Sequence, residues 1–525
     1  MKIISSRKWI PCLGISLFVV ASSGCATVLS DRLPAAKSRG QWTLPQYQGT
    51  ADGAGSIETI WLQINDVYEV LPLDNGKSGG LARVAALEKI LLAQNSNTRT
   101  VIAGDFFNPS ALNAAKVEGT ALNGKQMVDT LNAFLDLAAF GNHEFDLKEA
   151  DFRSRMKESK FHWVASNAFD ARTGSSFEGA PPTRVYDFSD SEGDQVRIGV
   201  FSVMVDSTVK DYVKYSNWLT AAQKAVQQLR QVDRVDAVIA LTHLSLEEDR
   251  QLLQKVSGID ILMGGHEHEQ MRVAVLNPQG KTVEIFKADA NAKTAWVHAL
   301  RWDSRQKKLS LSSTIHEIGD FSPEDPAVKE RVQGWVERAY QGFRSQGFEP
   351  TREVVPLTRA LDGRSSVVRS QRTGLTEVIS ESILRAFGDS AAEISLFNSG
   401  LIRIDDVVSA GVLTEYDILR IAPYEDKLLL VKIQGKDLRS ILEYSEKNRG
   451  DGMYLHSYPL PGESFAQIES TRMYRVALNS YLFGRIEEGL GNPLSTSERA
   501  VGWKPFSEIL TGDELRSNLV RFLRK

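Results

Sequence analysis

The stretch Trp61-Leu-Gln-Ile-Asn-Asp-Val-Tyr-Glu-Val70 decides how the chain is to be read. It begins as a buried β-strand, places Asn65 and Asp66 where the apolar run stops, and puts Tyr68 two residues further on. The arrangement recurs along the chain. Strand-type runs are predicted at 57–64, 100–103, 137–140, 196–205, 235–241 and 259–263, with amphipathic helices between several of them at 81–93, 127–135, 221–232 and 247–256. Strands alternating with helices predict an α/β layered domain.

In layered α/β sheets, ligands bind beyond the carboxyl ends of the strands. Here those ends carry Asp66, Gly104-Asp105, Gly141-Asn142-His143, Thr242-His243 and Gly264-Gly265-His266-Glu267-His268. Of the eight histidines, His143, His243, His266 and His268 stand at such ends, while His162, His298, His316 and His456 are scattered. Taken singly, Asp66 or Asp105 reads as a turn or cap residue and His243 equally as a satisfied core histidine or a ligand, whereas His-x-His after a double glycine already favours metal over a tight turn. Taken in order, the set reads as a metal site. Imidazole and carboxylate suit Zn, Mn, Fe, Co and similar ions, and a shared carboxylate holds two ions close enough to act on one phosphate. The two cysteines are Cys12 and Cys25, so thiolate ligation and a disulfide in the mature chain are both excluded.

At 525 residues the chain exceeds what one hydrophobic core serves, which predicts two or more domains. With 42% apolar and 24% charged residues and a formal net charge of -4, it lacks the basic balance of a protein that coats nucleic-acid polymers. Lys2, Arg7 and Lys8 precede an apolar run over 10–21 and then Ser22-Ser23-Gly24-Cys25, which reads as a secretory signal over 1–24. This segment resembles a bacterial lipoprotein signal. The resemblance implies cleavage before Cys25, lipid on its thiol, a membrane partner through that lipid, and a place in the bacterial cell envelope facing the periplasm or the cell surface. A plain signal peptide or an uncleaved anchor is the alternative. Residues 25–56, rich in small polar residues without periodicity, read as a tether.

The first domain is predicted over 57–318. Ser322-Pro-Glu-Asp-Pro326 opens a charged helix to about 346, and 319–352 reads as a link between domains. Residues 353–525 again mix helices (375–387, 436–446) with strands (394–397, 427–433, 474–478).

Asn-Asp-Val-x-Glu, Gly-Asp, Gly-Asn-His-Glu-Phe-Asp (141–146), Thr-His (242–243) and Gly-Gly-His-Glu-His (264–268) resemble the calcineurin-like metallophosphoesterases, specifically the 5′-nucleotidase family with its UDP-sugar hydrolase relatives. The resemblance runs from about residue 57 to 520. It implies a four-layer α/β/β/α domain joined by a helix to a smaller mixed α/β substrate-binding domain. It also implies two divalent metal ions (Zn, Mn, Co, Fe or Mg), one held by Asp66, Asp105 and His268, the other by Asp105, Asn142, His243 and His266. His143 then faces the phosphoryl group, oriented by Asp146. In the second domain, Asn398-Ser-Gly400-Leu-Ile-Arg403 resembles the element that reads the base region and approaches phosphate. Tyr424 and Tyr481 match a pair of aromatics that sandwich the base. The family further implies rotation of the second domain about the linking helix, with a hinge near 345–352.

The chain departs from this pattern in places. The family's Asp-x-His is Asp66-Val-Tyr68 here. A neutral phenol is a poor substitute for imidazole, so the first ion is expected to have one protein ligand fewer, a more open coordination sphere or weaker affinity. The Asn-Leu-Gly-Asn element is Thr373-Gly-Leu-Thr-Glu377, and the Arg before it falls on Gln371. Arg364, Arg369 and Arg372 lie nearby; Arg369 and Arg372 are candidates to supply that charge. The closing Gly-Gly-Asp-Gly is Gly484-Arg-Ile-Glu487-Glu488, with Glu487 at the Asp position. The leading expectation is an exported phosphohydrolase acting on nucleoside 5′-monophosphates. The alternatives are a catalytically weakened or inactive envelope protein that binds a ligand, and the same chemistry on cyclic nucleotides, UDP-sugars or another phosphoester.

Overall fold

Strand Ser56–Ile64 is buried along eight of its nine residues, as a strand covered on both faces must be. In the computed structural model, which describes residues 55–190, 193–388, 391–459, 468–491 and 504–525, it lies inside a six-stranded sheet. Cys25, the signal segment and the tether through residue 54 lie outside the described residues. That sheet has the order Lys308–Glu317, Thr294–Asp303, Ser56–Ile64, Thr98–Ile102, Leu137–Ala139, His162–Val164. The last four strands are mutually parallel, and Thr294–Asp303 and Lys308–Glu317 form an antiparallel edge.

A second six-stranded sheet runs Met271–Leu276, Thr282–Lys287, Ile261–Gly264, Ala237–His243, Gln195–Met204, Thr183–Ser189, with its four central strands parallel and both edges antiparallel. The facing surfaces of the two sheets share one apolar core, in which Trp61, Val101, Leu137 and Val164 meet Ile198, Ile239, Leu241 and Met263. Trp61 also sets its indole edge-on to Tyr186 and Phe188 at 5.6 and 6.1 Å. The outer face of the first sheet packs on helices Leu81–Gln94, Lys125–Leu131 and Glu149–Glu158, and that of the second on Trp218–Gln227 and Leu246–Lys255. The result is the α/β/β/α layering.

Helix Pro326–Ser345 starts at Asp325, whose carboxylate accepts from Val328 N, with Pro326 in the first turn. Its Val328, Val332, Trp335, Ala339 and Phe343 are buried in the outer core of the first sheet, so the linking helix is anchored on the first domain. The second unit is a five-stranded sheet, Leu455–Tyr458, Ile394–Asn398, Met473–Asn479, Lys427–Gln434, Phe506–Glu514. Helices Gly374–Leu384 and Leu515–Leu523 cover one face, and Gly435–Lys447 and Ser480–Glu487 the other.

Candidate metal centre and substrate cleft

The carboxyl ends of the parallel strands of both sheets meet at one edge. After Ile64 the chain turns at Asp66, whose positive φ of 52° breaks the strand. Asp105 (57°), His266 (87°) and His268 (62°) do the same at their own strand ends. Four non-glycine residues held in this sparsely populated region mark a site that the surrounding fold over-determines, at about 1–3 kcal/mol each. Two glycines make the close approach possible. A Cβ on Gly141 would lie 2.2 Å from Asp105 Oδ1, and one on Gly265 would lie 2.6 Å from the Ala103 carbonyl oxygen and 2.8 Å from Asp66 Oδ2.

Asp66, Asp105 and His243 are wholly buried and bring ligand atoms within 4.8 Å of one another. His243 Nε2 is 3.1 Å from Asp105 Oδ2 and 3.9 Å from Asp66 Oδ1. Its Nδ1 lies 2.7 Å from the Ala103 carbonyl oxygen, a partner that can only accept, so the proton belongs on Nδ1 and the Nε2 lone pair faces the carboxylates. Neither His243 Nε2 nor Asn142 Oδ1 makes a well-formed hydrogen bond, although both are buried. Two carboxylates and the unpaired His243 Nε2 lone pair in one dry space repel unless a cation or a proton stands among them. Without a cation a proton takes that place: burial lowers the His243 pKa, but Asp105 and Asp66 outweigh it and push it up to about 10. Burial likewise raises Asp66, yet His243 and His268 hold its carboxyl well below the usual range. These residues fit divalent metal, which the fold implies.

His266 and His268, also predicted ligands, lie beside this trio. His266 N donates to Asp66 Oδ2 at 2.9 Å, and its ring stands edge-on to His243 at 5.2 Å. Burial and the His243 charge lower its pKa to about 3, so it is a neutral imidazole. His268 Nε2 is 3.2 Å from Asp66 Oδ1. His143 N donates to Asp105 Oδ1 at 2.7 Å, and its Nδ1 meets Asp146 Oδ2 at 2.7 Å, leaving Nε2 4.0 Å from Asp105 Oδ2. Burial lowers the His143 pKa, but Asp105 and Asp146 together carry it above the ordinary value. Asp146 is itself held by Asn108 Nδ2 at 2.9 Å.

Several supporting groups escaped the sequence reading. Glu144 accepts from the backbone N–H groups of Gly141, Asp105, Phe106 and Phe107 at 2.6–3.1 Å and so ties the two ligand loops together. Asn65 Nδ2 donates to Asp66 Oδ2 and to the Ala288 carbonyl oxygen at 2.9 and 3.0 Å. Glu69 accepts from Ala111 N at 3.2 Å and, across the domain boundary, from the Tyr416 hydroxyl at 3.0 Å. Asp405, from the second domain, meets His268 Nδ1 through Oδ2 and Ser365 N through Oδ1. Glu144 and Glu69 sit inside recognisable motifs, but nothing in the sequence links Asp405 to His268.

Beside the cluster lies a cleft of about 870 Å³, lined from the first domain by Asn108, Asp146 and Lys210 and from the second by Asn398, Gly400, Arg403, Tyr424 and Tyr481. Gly400 is required, because a Cβ there would lie 2.9 Å from the Gly452 carbonyl oxygen. Tyr424 and Tyr481 are 42% and 53% exposed, open to a ligand rather than packed in a core. Arg403 stands 5.6 Å from the Tyr424 ring centroid, and its buried Nε finds no acceptor. Arg369 lies near enough to Arg403 that burial and that neighbouring charge both lower its pKa. Arg369, Arg372 and Glu487 are not among the residues that line the cleft. Arg372 donates to the Ser457 carbonyl oxygen, and Glu487 is exposed near the end of helix Ser480–Glu487, where the helical turn carries it away from Tyr481.

The family model for calcineurin-like phosphoesterase matches residues 61–270, and that for the 5′-nucleotidase C-terminal domain matches 354–488. Among curated relatives, snake venom 5′-nucleotidase of Naja atra is 25% identical over 435 residues, covering 76% of this chain and 80% of that one. The 5′-nucleotidase of Homo sapiens is 23% identical over 434 residues, covering 76% and 73%. The crystal structure of a 5′-nucleotidase precursor from Thermus thermophilus shares the fold with a TM-score of 0.70 at 20% identity, covering 89% of this chain and 96% of that one. A calcineurin-like phosphoesterase domain followed by a 5′-nucleotidase C-terminal domain places the chain among hydrolases of the metallophosphoesterase type.

Proposed function

We propose that the chain hydrolyses nucleoside 5′-monophosphates with two divalent ions, one held by Asp66, Asp105 and His268 and the other by Asp105, Asn142, His243 and His266. The observation that carries this reading is the continuity of the buried Asp66–Asp105–His243 cluster, through His143 and its partner Asp146, with a cleft that Asp146 lines together with open tyrosines and an unpaired guanidinium nitrogen. Bound there, the ions supply Lewis-acid polarisation of phosphoryl oxygens and a lowered pKa for the attacking water. Asp146 fixes the His143 ring so that Nε2 faces the phosphoryl group, where it donates to the oxygen that gains charge. Arg403, with Arg369 nearby, offers planar N–H groups to phosphate, and Tyr424 and Tyr481 stack on the base. Export as a lipoprotein through Cys25 belongs to the same proposal; lipid labelling that survives Cys25→Ser would refute it. So does rotation of the second domain, which an interdomain crosslink that leaves turnover untouched would exclude.

The departures at Gln371 and Glu487 favour one second reading, in which the chemistry is kept and the substrate is a cyclic nucleotide, a UDP-sugar or another phosphoester. One experiment decides. The purified protein is assayed for bound metal and for hydrolysis of a panel of nucleotides, cyclic nucleotides and sugar nucleotides, with and without chelator. Chelator-sensitive release of phosphate from nucleoside monophosphates is the expected result, and a metal-free protein with no chelator-sensitive activity on any member overturns the reading.

A further inference from the structure

The sequence predicts a gap in the first ion's ligand set at Tyr68, but the side chain does not turn away. Tyr68 is 5% exposed, its backbone N–H donates to Asn291 Oδ1 at 3.0 Å, and its ring packs edge-on between those of His143 and His268 at 6.2 and 5.4 Å. Its hydroxyl oxygen is 2.9 Å from His268 Nε2, 3.3 Å from Asp66 Oδ1 and 3.3 Å from Asp105 Oδ2, while His268 Nε2 is 3.2 Å from Asp66 Oδ1. Nitrogen and oxygen ligands sit about 2.0–2.2 Å from a transition-metal ion, so neighbouring ligand atoms around one ion are separated by about 2.9 Å at octahedral and about 3.5 Å at tetrahedral angles. All four separations fall in that interval. An atom occupying the ion's own position would instead approach the others to about 2.1 Å.

Resting on the metallophosphoesterase reading, we propose that Tyr68 is itself a ligand of the first ion, its Oη completing a set with Asp66, Asp105 and His268. To ligate, the phenol would have to release its proton to solvent, and Oη would then offer an anionic oxygen where the family places a neutral imidazole. Three anionic oxygen donors and one nitrogen make a harder, more negative site, which favours a more highly charged ion and iron in its ferric state. Aromatic packing on both sides and the Asn291 contact hold the ring in place, and Asp405 fixes His268 from its far nitrogen.

The test compares the full protein with Tyr68→Phe and Tyr68→His. Each is titrated with Zn²⁺ and Mn²⁺ against a competing chelator, and each is loaded with iron under air for absorption and resonance Raman spectra. In the unsubstituted protein, phenolate ligation gives a visible charge-transfer band with tyrosinate vibrations. Tyr68→Phe, which keeps the ring, loses the band and weakens one of two ions about tenfold or more, since even outer-shell partners are worth 10- to 100-fold. Tyr68→His restores the affinity without the band. A Tyr68→Phe protein that keeps both ions at unchanged affinity, or a ferric wild-type protein with no such band, overturns the ligand assignment while leaving metal-dependent hydrolysis standing. A wild-type protein that binds no metal overturns both.

Discussion

Asp405 offers the sharpest test of how the second domain bears on the metal centre. It projects from the segment after Arg403, has a side chain 13% exposed, and meets His268 Nδ1 through one oxygen and Ser365 N through the other. Both partners donate, and a carboxylate can accept from both. An asparagine cannot, because its amide must turn an N–H₂ toward one of them. Asp405→Asn therefore sets donor against donor, and Asp405→Ala removes the acceptors altogether. A partner of this kind fixes the tautomer and orientation of a ligating histidine and is worth 10- to 100-fold in affinity, or about 1.4–2.7 kcal/mol at 1.36 kcal/mol per decade.

The measurement is the dissociation constant of each ion by chelator competition, in wild type, Asp405→Asn, Asp405→Ala and the control Asp406→Asn. Asp406 forms an ion pair with Lys293 across the same boundary at 2.6 Å and touches no candidate ligand in the contacts described above, so its loss reports docking alone. The expectation is that one ion weakens 10- to 100-fold in both Asp405 variants and by less than about threefold in Asp406→Asn. Affinities unchanged within about twofold in both Asp405 variants would refute the reasoning. Equal losses in the Asp405 variants and the control would show that docking, rather than orientation of His268, sets the affinity.

Three further outcomes are expected. His143→Ala lowers turnover by about 10²–10⁴-fold with metal stoichiometry unchanged, by single-turnover kinetics and elemental analysis. Tyr424→Ala and Tyr481→Ala each raise KM for a nucleoside monophosphate, at about 1–3 kcal/mol per stacking face, and leave hydrolysis of an aryl phosphate without a base nearly unchanged. Burial and the neighbouring Asp136 raise the Glu88 pKa from 4.5 to about 7, so between those values the folded chain binds more protons than the unfolded one. This contribution to stability is present below about pH 4.5 and is lost as pH rises through 7. Glu88→Gln therefore stabilises the protein at pH 8 by about 1 kcal/mol, discounted for partial exposure, and leaves it unchanged near pH 4 by denaturant titration.

Most interior parallel strands were legible because burial on both faces makes them continuous apolar runs, and their predicted ends fall within a few residues of those observed; Thr282–Lys287, interior and parallel in the second sheet, was missed, because exposed Thr282 and half-buried Glu284 interrupt its apolar run. The edge strands were not legible. Met271–Leu276 alternates exposed and buried residues, and Lys308–Glu317 carries Lys, Ser and Thr on an open edge. Thr294–Asp303, though wholly interior for most of its length, reads as readily as a helix because Ala, Trp, Val, His and Leu satisfy either period. The predicted helix over 221–232 ends earlier as an α-helix: Trp218–Gln227 passes into a π-turn, Gln228–Val232, that the 3.6-residue period does not foresee. The clustered candidate ligands Asp66, Asp105 and His243 were legible from their positions at strand ends. The residues that tune them were not, because Asp405, Asn291 and Ala288 reach the site only through long-range packing.

The stretch 65–69 shows why the two kinds of residue cannot be separated. Asn65 clamps Asp66 to the backbone at Ala288, on the chain that leaves the second sheet. The Asp66 carbonyl oxygen accepts from Asn291 N at 2.8 Å, and the Asn291 side chain accepts in turn from Tyr68 N and Glu69 N. The left-handed turn at Asp66 is thus closed by hydrogen bonds on both sides, and this holds the carboxylate in a conformation it would otherwise avoid. Glu69, one residue past the phenol, carries the connection to Tyr416 in the helix Glu415–Ile421 that packs against the first domain's core. Five consecutive residues thereby join a strand of each sheet, the metal cluster and the second domain. A change at any of them is felt at the ion as well as in the fold, so substitutions here must be read from metal affinity and melting together, never from activity alone.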